Sequence, residues 1–346
     1  MSGNVAKPDS TPTGRRELEA SAAARAAAPR VPRGSPVATA LAFLVIYLVW
    51  GSTYLAIRYA VAEIPPLLTA GVRHLTAGAL LYLWARRADA RPTPAEWRSA
   101  AILAFWFFLL GHGSLHWAEQ LVPSGLAALI IATEPVWVVV GLMVISRRSV
   151  SARVGAGLVI GLVGVGVLFQ AADLRMSPAH LGAGLAVLGG AVAWSVGILY
   201  TRTAALARQA SLRAATTLAC GGGWLLLASL VAGEDSAAIL SGVSPLALGS
   251  LAYLVVFGSL IAYAAYLWLL ERCSPTLVAT HTYVNPVVAV VIAWAAGDGS
   301  LGPQVLLSSL LVLAAIALVG QDTRQSDRPA DAARLTRRGN LADDAA

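Results

Sequence analysis

Glu134 stands immediately before Pro135 inside a long apolar run, and few roles are open to a carboxyl so placed. An acid at the centre of a membrane helix costs about 2.5–3.5 kcal/mol on insertion scales, so this side chain is expected to face the interior of a bundle. There it carries a proton or receives the amine of a substrate; a protonated Glu bonded to a neighbouring helix is the packing alternative. His112, His116 and Glu119 recur at helical spacing and form a polar stripe, and His281, Thr282 and Asn285 form a second, one turn long. Such stripes suit the wall of a path, with an interhelical hydrogen bond as the plainer reading of each histidine. Ser114 lies two residues from both His112 and His116, so the rings project to other sides of a helix and do not readily form a hydrolytic dyad with it. No residue is given a catalytic role. Cys220 and Cys273 are the only cysteines, without metal-ligand spacing, and there is no Gly-rich phosphate loop; neither metal nor cofactor is expected.

The elements that position these residues are set by composition. With 57% hydrophobic and 12% charged residues over 346 positions, the chain has too little polar surface to cover a soluble globule. Spanning hydrocarbon takes about 20 apolar residues as helix. Ten such segments run at roughly 37–58, 67–85, 99–118, 123–145, 152–170, 180–201, 211–233, 246–270, 275–296 and 302–320. Lys and Arg stay on the cytoplasmic side during insertion. Placing both tails inside puts every basic residue except Arg58, Arg73 and Arg175 in cytoplasmic segments. The net charge of +7 therefore reports topology, and a nucleic-acid partner is not implied. Residues 1–36 and 321–346 read as disordered cytoplasmic tails.

The chain also repeats itself. Trp117 precedes Pro135 by 18 residues and Trp268 precedes Pro286 by 18; Trp50 precedes Arg58 by 8 and Trp194 precedes Arg202 by 8. The expected fold is thus all-α and integral to the membrane, with ten transmembrane helices in two five-helix repeats, 37–170 and 180–320. An odd number of spans per repeat makes the second copy run upside down, which is the architecture of alternating-access carriers with a midplane site. Pro135 and Pro286 are expected to kink their helices and free the carbonyls of Ile131 and Thr282. Arg73, two turns into its span, is expected to snorkel toward the outer headgroups or to act as a gate opposite Glu119, itself placed near the outer interface. Gly157, Gly161 and Gly164 form one small-residue face, read as close helix packing, with a homodimer contact as the alternative.

Several segments resemble the EamA-type members of the drug/metabolite transporter superfamily, in particular bacterial inner-membrane metabolite exporters. They are Trp-Gly-Ser-Thr-Tyr at 50–54, Pro-Pro at 65–66, Ala-Gly-Val-Arg at 70–73 and Ala-Glu-Gln-Leu-Val-Pro-Ser-Gly at 118–125. In the second half they are Phe-Gly-Ser at 257–259 and Tyr-Val-Asn-Pro-Val-Val-Ala at 283–289. The resemblance covers roughly 37–320 and rests on order and spacing together. It implies that Trp50 and Trp194 are cavity-wall aromatics, with Thr53 and Tyr54 beside them. Two departures stand out: Ser146-Arg147 and Gly297-Asp298 replace the family's frequent Gly-Glu, and Glu134 replaces an apolar or small polar residue.

The expected function is secondary transport, exporting a small metabolite, amino acid or toxic compound across the plasma membrane by alternating access, with protons as a candidate coupling ion. A channel and a membrane-embedded enzyme are the alternatives, separated from a carrier by counterflow and by product formation. Reporter fusions after residues 90, 150 and 205 test the topology. Activity with a cytoplasmic reporter is expected at all three, and periplasmic activity there would overturn both the orientation and the inverted repeat.

Overall fold

Among the described residues six helices begin on proline, at Pro36, Pro66, Pro94, Pro178, Pro245 and Pro303, where its missing N–H would have had no intrahelical partner and its φ is already helical. Ser35 accepts from Ala38 N, Ser244 accepts from Ala247 N, and Thr93 with Glu96 forms a reciprocal capping box. The computed structural model describes residues 35–86, 91–146, 152–171, 178–235, 237, 242–273, 278, 281–299 and 301–326.

In chain order the helices are α1 (Pro36–Val61), α2 (Pro66–Ala85) and α3 (Pro94–Ala104 and Gly113–Ala118, joined by π-helix Phe105–His112). Next come α4 (Ser124–Ile131), α5 (Glu134–Ser146), α6 (Ala152–Ala171), α7 (Pro178–Tyr200) and α8 (Ala210–Val231). The last are α9 (Pro245–Tyr253 and Ala262–Arg272, joined by π-helix Leu254–Ile261), α10 (His281–Ala295) and α11 (Pro303–Ser326). Among the described residues six stretches are long and apolar enough to cross a membrane by length and composition: Pro36–Val61, Pro94–Ala118, Ser124–Ile145, Pro178–Tyr200, Ala210–Val231 and Pro245–Leu269. Leu83, Trp84, Leu230, Val231 and Leu310 are among many large apolar side chains left exposed, as a lipid-facing surface requires.

Three local features differ from the sequence reading. The segment predicted at 123–145 is two helices, because Ala132 and Thr133 form a turn just upstream of Pro135, which has no N–H to continue the ladder. Pro286, by contrast, lies within the continuous helix α10. The last helix runs to Ser326, into the expected tail; residues 1–34 and 327–346 lie outside the described residues.

Glycine brings two helix pairs close together. A Cβ on Gly78 would overlap the backbone nitrogen of Ala219, and a Cβ on Gly222 would overlap that of Leu75. The contacts 75 with 222 and 78 with 219 make α2 and α8 antiparallel. They are also reciprocal, since the interval from Leu75 to Ala219 and from Gly78 to Gly222 equals that from Trp50 to Trp194. The α6–α11 pair repeats the pattern. A Cβ on Gly161 would come 3.3 Å from Ala315 Cβ, and one on Gly164 would come 3.2 Å from Val312 Cγ2. The interval from Gly161 to Val312 and from Gly164 to Ala315 equals that from Pro135 to Pro286. Ser308 Oγ donates to Gly164 O at 2.7 Å across the same seam. Gly161 and Gly164 therefore pack within the chain.

At the end of the bundle that the basic-residue distribution assigns to the outside, carboxylates reach across to bare helix starts. The residue preceding α2 is Pro65 and that preceding α4 is Pro123, and neither offers a side-chain cap. Glu234 accepts instead from Leu67 N and Leu68 N at 3.1 and 2.8 Å, and Asp298 accepts from Ser124 N and Oγ at 3.0 and 2.6 Å. Negative charge at a helix N-terminus meets orphan N–H groups and the positive end of the dipole. In the loop after α1, Glu63 accepts from Ser244 N and Oγ, contacts that hold its carboxyl below the usual carboxylate range. With the folded value lowered, this contact is fully present above the ordinary carboxylate range and is lost as pH falls through the lowered value.

The glycine seam is testable. Gly222→Ala should destabilise the detergent-purified protein by about 1–3 kcal/mol, because a methyl group must enter space held by backbone. Gly223→Ala, where nothing lies within 4 Å of the added carbon, should be neutral or stabilising by up to about 1 kcal/mol. Thermal unfolding of the two variants side by side checks both directions.

Candidate functional site

A cluster of polar side chains is buried where α1, α2, α3, α7, α9 and α10 meet. Arg73 on α2 is 5% exposed and does not snorkel. Its Nε donates to Ser259 Oγ at 3.1 Å, on the π-helix of α9. A Cβ on the adjacent Gly258 would lie 3.2 Å from Arg73 Nη2 and 3.0 Å from Thr53 Cγ2, so glycine is what admits the guanidinium. Trp50 Nε1 donates to Gly258 O at 3.0 Å. A π-helix leaves such main-chain groups poorly matched within its own ladder. Thr53 is buried, with its hydroxyl donating to Trp50 O at 2.6 Å.

The symmetry mate of Trp50 makes the matching contact in the other half. Trp194 on α7 stacks on Phe107 and His112 of the α3 π-helix, at 4.3 and 5.0 Å between ring centroids. A Cβ on Gly111 would come 3.1 Å from its ring. Each tryptophan thus rests on the π-helix of the opposite half. Nothing in the hydropathy pattern marks these π-helices, although Gly111 and Gly258 stand at comparable places in the two copies.

The histidine stripe gains a member that the sequence reading missed. His74, next to Arg73, is 1% exposed, and its Nε2 lies 2.8 Å from His112 Nδ1. The His116 ring nitrogen Nδ1 sits 2.7 Å from His112 O, leaving His116 Nε2 and His74 Nδ1 buried without a hydrogen-bond partner. All three rings are within electrostatic range of Arg73. Its position directly after Arg73, in a span otherwise poor in polar groups, was the available signal.

Glu119, expected near the outer interface, is fully buried, and among the described residues both of its carboxylate oxygens lack a hydrogen bond. It lies within electrostatic range of Arg73, Arg58 and Asp298. Tyr54 lies within range of Arg73, Glu119 and Glu134 together, which joins the first stripe to the acid beside Pro135. Glu134 is half-buried, and its carbonyl accepts from Ser195 Oγ of α7 at 3.0 Å. On α10, His281 packs edge-on against Trp50 at 4.9 Å and Tyr266 at 5.7 Å, and its Nδ1 and Asn285 Oδ1 are buried without partners among the described residues. Pro286 is buried; the side chains of Thr282 and Pro135 lie outside the described residues.

Above Glu119 the structure is sealed. Arg58 donates to the Glu119 carbonyl and pairs with Asp298 at 3.4 Å, while Asp298 holds the start of α4. Beyond this seal lies a cleft of about 580 Å³ lined by Arg58, Tyr59, Val61, Ala62, Gln120 and the 296–298 turn. Neither Arg58 nor Asp298 was assigned to the site by sequence. The described residues hold no group of three or more His, Cys, Asp or Glu arranged to bind a metal ion.

Residues 37–170 and 181–321 each match the EamA-like transporter family. An inner membrane transporter of Escherichia coli K12, YedA, is 35% identical over 282 residues, covering 80% of this chain and 89% of its own. The transporter YvbV of Bacillus subtilis is 27% identical over 82% of this chain and 91% of its own. A crystal structure of a protein 20% identical in sequence superposes with a TM-score of 0.57, covering 82% of this chain and 98% of that one, a likeness of fold. The chain therefore belongs to the EamA-like transporter family and is a multi-pass membrane transporter.

Proposed function

We propose that the protein is a secondary transporter of ten spans in two inverted repeats, exporting a small metabolite, amino acid or toxic compound from the cytoplasm by alternating access. The observation that carries this reading is the pair of reciprocal antiparallel seams. Helices at equivalent places in the two copies, α2 with α8 and α6 with α11, meet through the same residues in both directions. That is the relation a two-fold axis in the membrane plane would impose, and it supports opposite insertion of the halves. Both termini lie in the cytoplasm in this arrangement, in keeping with the basic residues.

The substrate path runs between the halves, past Trp50, Thr53, Tyr54, Glu134, Trp194, His281, Thr282 and Asn285 and along His112 and His116. The seal of Arg58, Asp298 and Ser124 closes its outer end, with Arg73 and Glu119 beneath as the inner layer of the gate. The break before Pro135 and the helix around Pro286, which lacks one N–H bond, are the hinges. Rocking one half against the other would part Arg58 from Asp298 and open the outer cleft onto the cluster. Partners are the substrate, the bilayer and, in the coupled form, protons. A homodimer is not required, since Gly161 and Gly164 are already covered by α11.

Glu134 is assigned as the proton carrier. It is an acid in a membrane span, half-buried and without a basic partner in ion-pair contact among the described residues, so it can load a proton from one side and release it to the other. Glu134→Gln keeps the shape but cannot titrate. In inside-out vesicles, normalised to inserted protein, this variant should lose the response of uptake to an imposed pH gradient while keeping some downhill exchange. A response equal to wild type returns Glu134 to a packing role.

A further inference from the structure

Arg73 is a buried charge in the cluster with a single hydrogen-bond partner among the described residues. Guanidinium cannot neutralise itself by losing a proton, and a charge taken out of water needs a partner in hydrogen-bond contact. Of its five N–H donors, the structure spends Nε on Ser259 Oγ. Nη1 and Nη2 make no hydrogen bond among the described residues, and no carboxylate among them lies in ion-pair contact. Glu119 is within electrostatic range, but its two oxygens are bare among the described residues. The groups that hold Arg73 in place are themselves fixed: Gly258 leaves room for Nη2, and Trp50 anchors that glycine's carbonyl. The planar fork is therefore held ready on a wall that also carries Thr53, Tyr54 and Trp50.

We propose that Arg73 is the receptor for a carboxylate on the substrate, so that the transported compound is a small organic acid whose carboxylate is taken by the Nη edge of the guanidinium. This rests on the transport reading above and names the chemistry of the substrate at that site. Two parallel N–H bonds to one carboxylate match the geometry of the fork, which a single ammonium charge cannot reproduce. Among the described residues no carboxylate contacts the fork. A bound carboxylate supplies the missing partner, and the remainder of the molecule lies toward Trp50 and Tyr54.

The test uses full-length protein in nanodiscs and radiolabelled phenylacetate, displaced by unlabelled phenylacetate or by phenylacetamide, its neutral counterpart of the same shape. The acid should displace the label at least about tenfold better than the amide, as expected for a charge-assisted pair. Arg73→Gln should weaken phenylacetate binding by about tenfold or more, and Arg73→Lys, which keeps the charge without the fork, should fall between. Equal displacement by acid and amide, undiminished binding to Arg73→Gln, or no binding of phenylacetate to wild type would overturn the proposal. If Arg73→Gln does not fold, the comparison of acid with amide on wild type decides alone. Binding in nanodiscs needs no gradient and no Glu134 variant, so this proposal and the proton-carrier assignment stand or fall separately.

Discussion

The close approach of α2 to α8, possible because Gly78 and Gly222 present bare backbone, is the contact on which the remaining architecture depends. Apolar side chains gain little by leaving lipid for another helix, so association in a membrane relies on close van der Waals fit and on polar contacts. The seam supplies the first. By fixing α2 against α8 it also fixes Arg73 and His74 relative to Gly221 and Leu225, which pack on Phe108 and Gly113 of α3, and so brings the α3 π-helix into register with the cluster. A side chain added at either glycine would move these groups together.

Polar groups in the interior follow from that frame. Each π-helix widens the turn where a tryptophan from the opposite half comes to rest, Trp50 on Gly258 and Trp194 on His112. The two halves are thus tied at the cluster by aromatic and main-chain contacts. At the outer end they are tied by charge: Glu234 and Asp298 cap helices that begin after Pro65 and Pro123 and have no caps of their own. Contacts of the second kind can be exchanged for water when an end opens, whereas the glycine seams cannot be loosened without losing their fit. In the proposed cycle this difference would put the rigid contacts at α2–α8 and α6–α11 and the opening at the Arg58–Asp298 pair.

Much of this was legible in the sequence because it rests on local chemistry. Apolar runs gave the helices to within a few residues, since proline and Ser or Thr mark their starts. The doubled Trp and Pro spacings gave the expectation of a repeat, on which the proposed transport reading draws. Long-range compensation was not legible. Arg73 was expected to reach the headgroups and Glu119 to lie near the outer interface, because a single helix offers a charge no better option; in the fold Ser259 and Gly258 receive the Arg73 side chain inside. His74 was overlooked for the same reason, its partner His112 lying on another helix. The π-helices leave no pattern in hydropathy, and the break at Ala132 and Thr133 was read as a kink because proline alone does not say whether a helix bends or stops.

The central claim is that transport requires the outer seal to part while the glycine seams hold. Ala62 and Gly297 line the cleft on either side of that seal. With Cys220 and Cys273 replaced by Ser, cysteines at 62 and 297 can be joined by a short reducible cross-linker in reconstituted vesicles and substrate counterflow followed. The account predicts that cross-linking stops counterflow and that reduction restores it. Counterflow continuing at the uncross-linked rate, with the linkage verified on the same sample, would contradict it.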